Sequence, residues 1–420
     1  MTPDDSNHQC VAFIGLDSAR FLGWLPEYGN AVLVVRDKMG LEISRPTLEL
    51  PAEQDSSGTL ALLSHHGTLP FLREHGVKLL VVFKPSFRVQ QWAEENQLHL
   101  VSGDCGLGQR LENKTQFSKI ATESGLRVPR QMVFSGSPPL WSEISQRFGS
   151  RIVLQKARGH SGQGTFFISS GSEWADHFSG RTGRGAWKVA EFIEGETWTF
   201  NGAMWPSGDC VLGESYRQRT GDPLCTANPL GACGNVWGEP APESLAAVRE
   251  DIVQFLKNQH FTGPFGVDVL VPDDGTAAQI IEINSRSTSG LSMEAYLTKA
   301  KGGSSLAEAV MDACLDVKQR TKLSGVQLKG AQAVIYSFIS DEIQMTSDVV
   351  SGTYRNIDGE VQFVSKNANP AVCSSTECVV LARSKGQWIG AQGELARLQV
   401  CGAETDLHPW IHWINDVLRS

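Results

Sequence analysis

The stretch IIEINSRSTSG, Ile280 to Gly290, sets Glu282, Asn284 and Arg286 at alternate positions. In a strand, alternate side chains share a face, so these three project together while Ile281 and Ile283 face the other way. An acid, an amide and a guanidinium on one face call for something polar against them. Upstream, FGVDVLVPDDGTAAQIIEIN reads as two strands around the turn signal PDDG, and a register centred on that turn puts Asp268 nearly opposite Glu282. Like charges directly across a ladder destabilise it unless a cation lies between them, although a slip of one residue would separate their faces. Oxygen ligands from Asp268, Glu282 and Asn284 suit Mg²⁺, which takes a few carboxylates and completes its shell with waters and substrate phosphates.

Two lysines stand where an anion would be welcome. Asn113 can cap a helix, Phe117, Ile120 and Ala121 form its apolar stripe, and Gly125 followed by Pro129 stops it. Lys114 then opposes the helix dipole in the first turn, a conflict that a nearby anion would resolve. RIVLQKARGHSGQGTFFIS reads as two strands joined by a glycine-containing loop with Lys156 at its edge. Gly162 and Gly164 allow a phosphate close to the backbone there; a flexible hairpin tip is the equal alternative. No Lys-Ser or Lys-Thr closes the loop, so it is not the GxxxxGK[ST] type.

The elements around these residues are legible in outline. CVAFIGL, AVLVVRD and VKLLVVF alternate with polar helical stretches, the pattern of a parallel α/β sheet. GDCGLGQR lacks the spacing of a dinucleotide loop. KVAEFIEGETWTF reads as strand, turn and strand, with Glu191, Glu194 and Glu196 around Gly195, and PESLAAVREDIVQFLKNQ as an amphipathic scaffold helix. After about residue 325, AQAVIYSFI, TYRNIDGEVQFVS and CVVLARS read as strands of a small β-rich domain closed by the helix HPWIHWINDVLRS.

Bulk properties narrow the function. A chain of 420 residues suggests two or three domains, and 41% hydrophobic with 20% charged residues is a globular composition. The formal charge of -9 offers no broad basic field for nucleic acid or an anionic membrane. Nine scattered cysteines without a CxxC pair argue against a disulfide framework or structural zinc. The acidic start MTPDDSNHQC and the lack of a long apolar run give a cytoplasmic expectation.

The order of these signals resembles the ATP-grasp superfamily over roughly residues 10 to 325: a helix-start lysine, a lysine with a glycine loop, VAEFIEG, then an aspartate and EINSR. The resemblance implies a mixed α/β and α+β chain: an N-terminal parallel α/β domain (1–110), a two-subdomain nucleotide domain (111–325, mobile lid about 134–195) and a small C-terminal β-rich domain (326–420). Lys114 and Lys156 match the phosphate-contacting lysines, and Gly159 to Gly164, with Ser161, Gly162 and Gly164, match the loop over ATP. Glu191, Phe192, Ile193 and Glu194 match the adenine hinge, and Glu196 the ribose acid. Asp268, Glu282 and Asn284 match ligands of two Mg²⁺ ions, with Glu282 bridging, and Arg286 matches the group at the transferred phosphoryl.

Gly266 stands where D-alanine ligase-like members often carry a catalytic arginine, which shifts that role to Arg286. The implied reaction is ATP-dependent amide or peptide bond formation through an acyl phosphate, on amino-acid or peptide substrates. Glu214 to Trp237 resembles a substrate-side loop, in which Arg217 and Arg219 could bind a carboxylate; a solvated loop is the bland reading. VFKPSFR and LENK also resemble natural-product peptide ligases of the pheganomycin type. Carboxylation through carboxyphosphate and a non-catalytic nucleotide module are the rival readings. A homodimer is an assembly open to it.

Overall fold

The structure, a computed structural model, describes residues 9–51, 58–159, 162, 164–179, 185–318, 327–402 and 406–419. Five parallel strands, β1 (Cys10–Asp17), β2 (Ala31–Asp37), β3 (Thr47–Glu49), β4 (Val77–Val82) and β5 (His99–Leu100), lie in the order β3-β2-β1-β4-β5. The three central strands, β1, β2 and β4, are mostly apolar because both faces are covered. Ala12 and Ile14 pack with α1 (Thr59–Ser64), α2 (Thr68–Glu74) and α3 (Phe87–Glu95), while Val11 and Phe13 face helices from much later in the chain.

GDCGLGQR is neither loop nor fingerprint: it forms most of α4 (Cys105–Glu112), whose start is capped by Asp104 Oδ1 accepting from the Gly106 and Leu107 amides. Helix α5 (Lys114–Glu123) follows at once, with Asn113 Oδ1 accepting from the Thr115 and Gln116 amides. Phe117, Ile120 and Ala121 are buried, as the stripe requires.

The next four strands, β6 (Gln131–Ser135), β7 (Ile152–Lys156), β8 (Thr165–Ile168) and β9 (Ala186–Glu191), form an antiparallel sheet of order β6-β9-β7-β8. Helices α6 (Trp141–Phe148) and α7 (Gly171–Phe178) cover one face, where Ile144, Phe148 and Trp174 bury Ile152, Leu154, Ile168 and Val189. The alternate residues Val153, Gln155, Lys188 and Ala190 therefore belong to the other face.

A ten-stranded antiparallel sheet carries the rest of the chain. Its strands are β10 (Gly195–Met204), β11 (Cys210–Thr220), β12 (Ala232–Trp237), β13 (Gly263–Pro272), β14 (Gln279–Asn284), β15 (Gly330–Tyr336), β17 (Gly352–Ile357), β18 (Glu360–Ser365), β19 (Glu377–Ala382) and β21 (Glu394–Cys401). A short pair, β16 (Ile343–Gln344) and β20 (Trp388–Ile389), lies apart. The sheet order is β14-β13-β10-β11-β12-β15-β21-β19-β17-β18, so the C-terminal strands continue the same sheet through the β12–β15 pairing. VAEFIEG joins two strands as expected, but β9 and β10 lie in different sheets, and residues 192–194 are the crossing.

Helix α8 (Ser244–Asn258) buries Leu245, Val248, Ile252 and Phe255 against Trp198, Phe200, Val267 and Ile283 on one face of the large sheet. The opposite face carries Thr199, Asn201, Gln218, Asp268, Glu282 and Asn284. Helices α9 (Leu291–Ala300) and α10 (Leu306–Cys314) join that side to the N-terminal sheet through Ala295, Val310, Phe13 and Ala203. Helix α11 (His408–Arg419) packs Trp410, Ile411 and Ile414 on the C-terminal strands. The nine cysteines are all free. No helix among the described residues is long and apolar enough to cross a membrane.

Candidate active site

The β13–β14 ladder pairs Asp268 directly with Glu282 and Gly266 with Asn284. The pairing expected from the turn is observed, but through a register shift between Asp268 and Val269 rather than a simple hairpin, and the like charges do meet. Asn284 Nδ2 lies 3.3 Å from both Asp268 Oδ2 and Glu282 Oε1. Thr199 Oγ1 donates to Asp268 Oδ1 at 2.8 Å. The start of α5 brings Lys114, buried, into an ion pair with Glu282 Oε2. The carboxylates separate in character: burial and then the charge of Glu282 push Asp268 up to about 7. Burial acts upward on Glu282 too, but Lys114 outweighs it and holds that carboxyl down at about 2.

Arg286 follows the end of β14. Its Nη2 donates to Asn284 Oδ1 at 3.0 Å, its Nε lies 3.1 Å from Glu112 Oε1, and its guanidinium sits 5.0 Å from the Phe83 ring centre. Helix α4 can approach this turn because residue 108 is glycine: a Cβ there would stand 2.8 Å from Ser285 Oγ. Ser285 Oγ instead donates to the Gly108 carbonyl at 2.9 Å.

Strand parity does not bring Lys156 to this cluster. Lys156 pairs with Trp187, whose ring packs against His177 and Phe178 of α7, so Lys156 is an exposed residue on the helix-covered side of its sheet. Its neighbours in the ladder, Gln155 and Lys188, share the other face, and Lys188 is only 2% exposed. Burial, reinforced by Lys114 and opposed by Glu282, lowers the Lys188 ammonium to about 8, which places those two groups in its electrostatic reach. Sequence reasoning missed Lys188; the signal was a lysine with apolar neighbours on both sides in WKVA.

In the glycine loop, Gly162 and Gly164 have φ of 79° and 75°, left-handed values that glycine tolerates. The Gly162 carbonyl accepts from Asn228 Nδ2 at 2.7 Å, tying the loop to the segment between β11 and β12. Ser161 lies outside the described residues. Two carboxylates at the crossing are already engaged: Glu191 accepts from the Arg130 amide and side chain at 2.8 and 2.6 Å, and Glu194 pairs with Arg151 at 2.6 Å. The Phe192 amide donates to the Arg151 carbonyl, and the Phe192 ring meets Phe167 edge-on. Ile193 is half-buried in the crossing, and Glu196 is 4.0 Å from Arg217.

Parity also corrects the substrate arginines. Arg217 pairs with Trp198, whose side chain lies in the α8 core, so Arg217 points away from Asp268 and is clamped by Glu239 at 2.5 and 2.7 Å. Arg219, two residues on, is held by Asp222 at 2.9 Å. The residue between them, Gln218, is the one that faces Asp268, at 3.5 Å.

The N-terminal sheet supplies other cations. Arg20, just past β1, lies 3.9 Å from the Phe83 ring centre, so the ring just past β4 meets both Arg20 and Arg286. Burial lowers the adjacent Lys84, with Glu112 opposing and Arg286, Arg158 and Lys114 adding to the shift. These residues follow the carboxyl ends of β1 and β4, neighbours at the point where strand order reverses, the usual crevice of an open parallel sheet.

With its parallel N-terminal sheet, four-stranded antiparallel sheet and long antiparallel sheet, the chain has the ATP-grasp fold. Solved structures that share it include the following three. The biotin carboxylase domain of Hydrogenobacter thermophilus 2-oxoglutarate carboxylase, solved with MgADP, ADP and bicarbonate, has a TM-score of 0.62 at 12% identity, covering 94% of this chain and 86% of that one. Staphylococcus aureus N5-carboxyaminoimidazole synthetase, solved with ADP, gives 0.61 at 10% identity, with 97% of each chain covered. Thermotoga maritima phosphoribosylamine–glycine ligase gives 0.61 at 12% identity, over 97% of this chain and 96% of that one. At the level of sequence, the chain matches no protein-family model and no curated protein.

Proposed function

We propose that this chain is an ATP-dependent, ADP-forming ligase that activates a carboxylate as an acyl phosphate and joins it to an amine, with an amino acid or peptide as substrate. The observation that carries this reading is the convergence of Lys114, the Asp268–Glu282 pair, Asn284 and Arg286 on one polar face opposite the lid. Two carboxylates held together at the cost of repulsion suit a divalent cation, and Asp268 and Glu282 would hold Mg²⁺, with Asn284 joining through Oδ1 once that atom leaves Arg286. Bound there, Mg²⁺ would neutralise triphosphate charge.

The protein's own groups would do the rest by position and charge, as phosphoryl transfer requires. Lys114 holds phosphate oxygens; the crossing at 192–194 offers backbone groups to adenine; Arg286 faces the γ-phosphoryl group as a substrate carboxylate oxygen attacks its phosphorus and ADP departs. The amine then attacks the acyl carbon, phosphate leaves and the amine gives up a proton. The acid would lie by Arg20, Lys84 and Arg286, the cations of the crevice between sheets. The domain division is proposed as 1–110, 111–325 and 326–420, the last unit sharing the main sheet.

Carboxylation through carboxyphosphate is the second reading, favoured by the likeness to carboxylase structures. The test is release of ADP and phosphate across a panel of amino acids and short peptides, with product mass measured. ATP turnover that depends on bicarbonate and on no amino acid or peptide selects the second reading. AMP and pyrophosphate as products would exclude both.

A further inference from the structure

Lys188 is a buried cation that the structure leaves without a partner. It is 2% exposed, and no hydrogen bond or ion pair within 4 Å joins it to any described residue. Glu282, the acid in its electrostatic reach, is already bound by Lys114 and approached by Asn284. An ammonium group largely removed from water with no bonded counter-charge costs the fold stability, and a ligand that supplies the charge would offset that cost. Its direction is fixed by the ladder: Lys188 pairs with Gln155 on the lid face away from α6 and α7. Lys156, the cation nearest in the ladder, is exposed on the side of α7.

We propose that Lys188 is the lid's phosphate contact, donating to the phosphate oxygens of the bound adenine nucleotide beside Lys114, whose own amide donates to the Ala157 carbonyl just past β7 at 2.9 Å. The proposal rests on the nucleotide-site reading above. The two lysines repel each other in the nucleotide-free protein, and phosphate oxygens between them turn that repulsion into a bridge. Gln155, beside Lys188, donates to Thr165 Oγ1 at 3.2 Å and so is held by β8.

The experiment is calorimetric titration of the full chain with ADP, with ATP and with adenosine, for wild type, Lys188→Met, Lys188→Gln and Lys156→Met, with thermal denaturation of each nucleotide-free protein. Lys188→Met should weaken ADP and ATP at least tenfold and adenosine less than threefold. It should also raise the nucleotide-free melting temperature by a few degrees, because an unpaired buried charge is gone. A merely structural lysine would give the opposite stability change and equal losses for all three ligands. Lys188→Gln should show the same ligand pattern if methionine fails to fold. Unchanged ADP affinity in both Lys188 variants, or loss in Lys156→Met alone, overturns the proposal while the nucleotide site stands. Wild type that binds none of the three ligands sinks the site reading and this proposal together.

Discussion

Asp268 and Glu282 face each other directly across the β13–β14 ladder, and Lys114 pairs with Glu282 alone. A cross-strand pair of acids with one lysine between two carboxylates is undercompensated, which is the reason Asp268 is pushed up to about 7 by burial and by its neighbour. The two positions should therefore respond differently to removal of charge.

Asp268→Asn relieves the repulsion and should stabilise the nucleotide-free protein by roughly 0.5–1 kcal/mol. Glu282→Gln leaves buried Lys114 without its counter-charge and should cost about 3 kcal/mol. Both should abolish Mg²⁺-dependent ATP turnover. Thermal denaturation beside an ADP-release assay checks the contrast; a melting temperature that falls in Asp268→Asn would show that the pair is not under strain.

Arg286 holds Asn284 Oδ1 through one nitrogen and lies against Glu112 through another, so its fork is oriented before any substrate arrives. Arg286→Lys keeps the charge and loses the planar fork. The rate of acyl-phosphate formation should fall about 100-fold or more, with ATP affinity changed less than threefold, as for an interaction strongest in the transition state. Hydroxylamine trapping of the activated acid as a hydroxamate measures that rate. Parallel tenfold losses in rate and affinity would instead mark Arg286 as a ground-state binder.

Glu294 on α9 is buried, accepts from Asn201 Nδ2 at 3.0 Å, and is pushed up from 4.5 to about 7 by burial. An acid raised on folding keeps its proton in the native state after the unfolded chain has released its own, so stability falls as pH rises from about 4.5 to about 7 and levels off above. Glu294→Gln should remove that slope and stabilise the protein at pH 8 by up to roughly 3 kcal/mol. Urea melts at several pH values test this, and an unchanged slope would mean that Glu294 is not the titrating group.

The local elements, and the chemistry they could carry, are legible in the order of the residues. The cap at Asn113, the PDDG turn and the apolar runs each rest on interactions within a few residues, so the start of α5 and the Asp268–Glu282 register were legible. Which face of each strand turns toward the Asp268–Glu282 side depends instead on packing between distant elements. Alternation says that Gln155 and Lys156, or Arg217 and Gln218, point opposite ways; it does not say which side a helix will cover. That choice was made by Ile144 and Trp174 packing on Leu154 and Val189, and by α8 packing on Trp198. It turned Lys156, Arg217 and Arg219 outward and Gln155, Lys188 and Gln218 inward, because the apolar side of a half-buried strand must go where other elements bring their apolar side. Arg20 and Lys84 joined Arg286 for the same reason: contact between chain segments some 200 residues or more apart is set by packing, which no local pattern records.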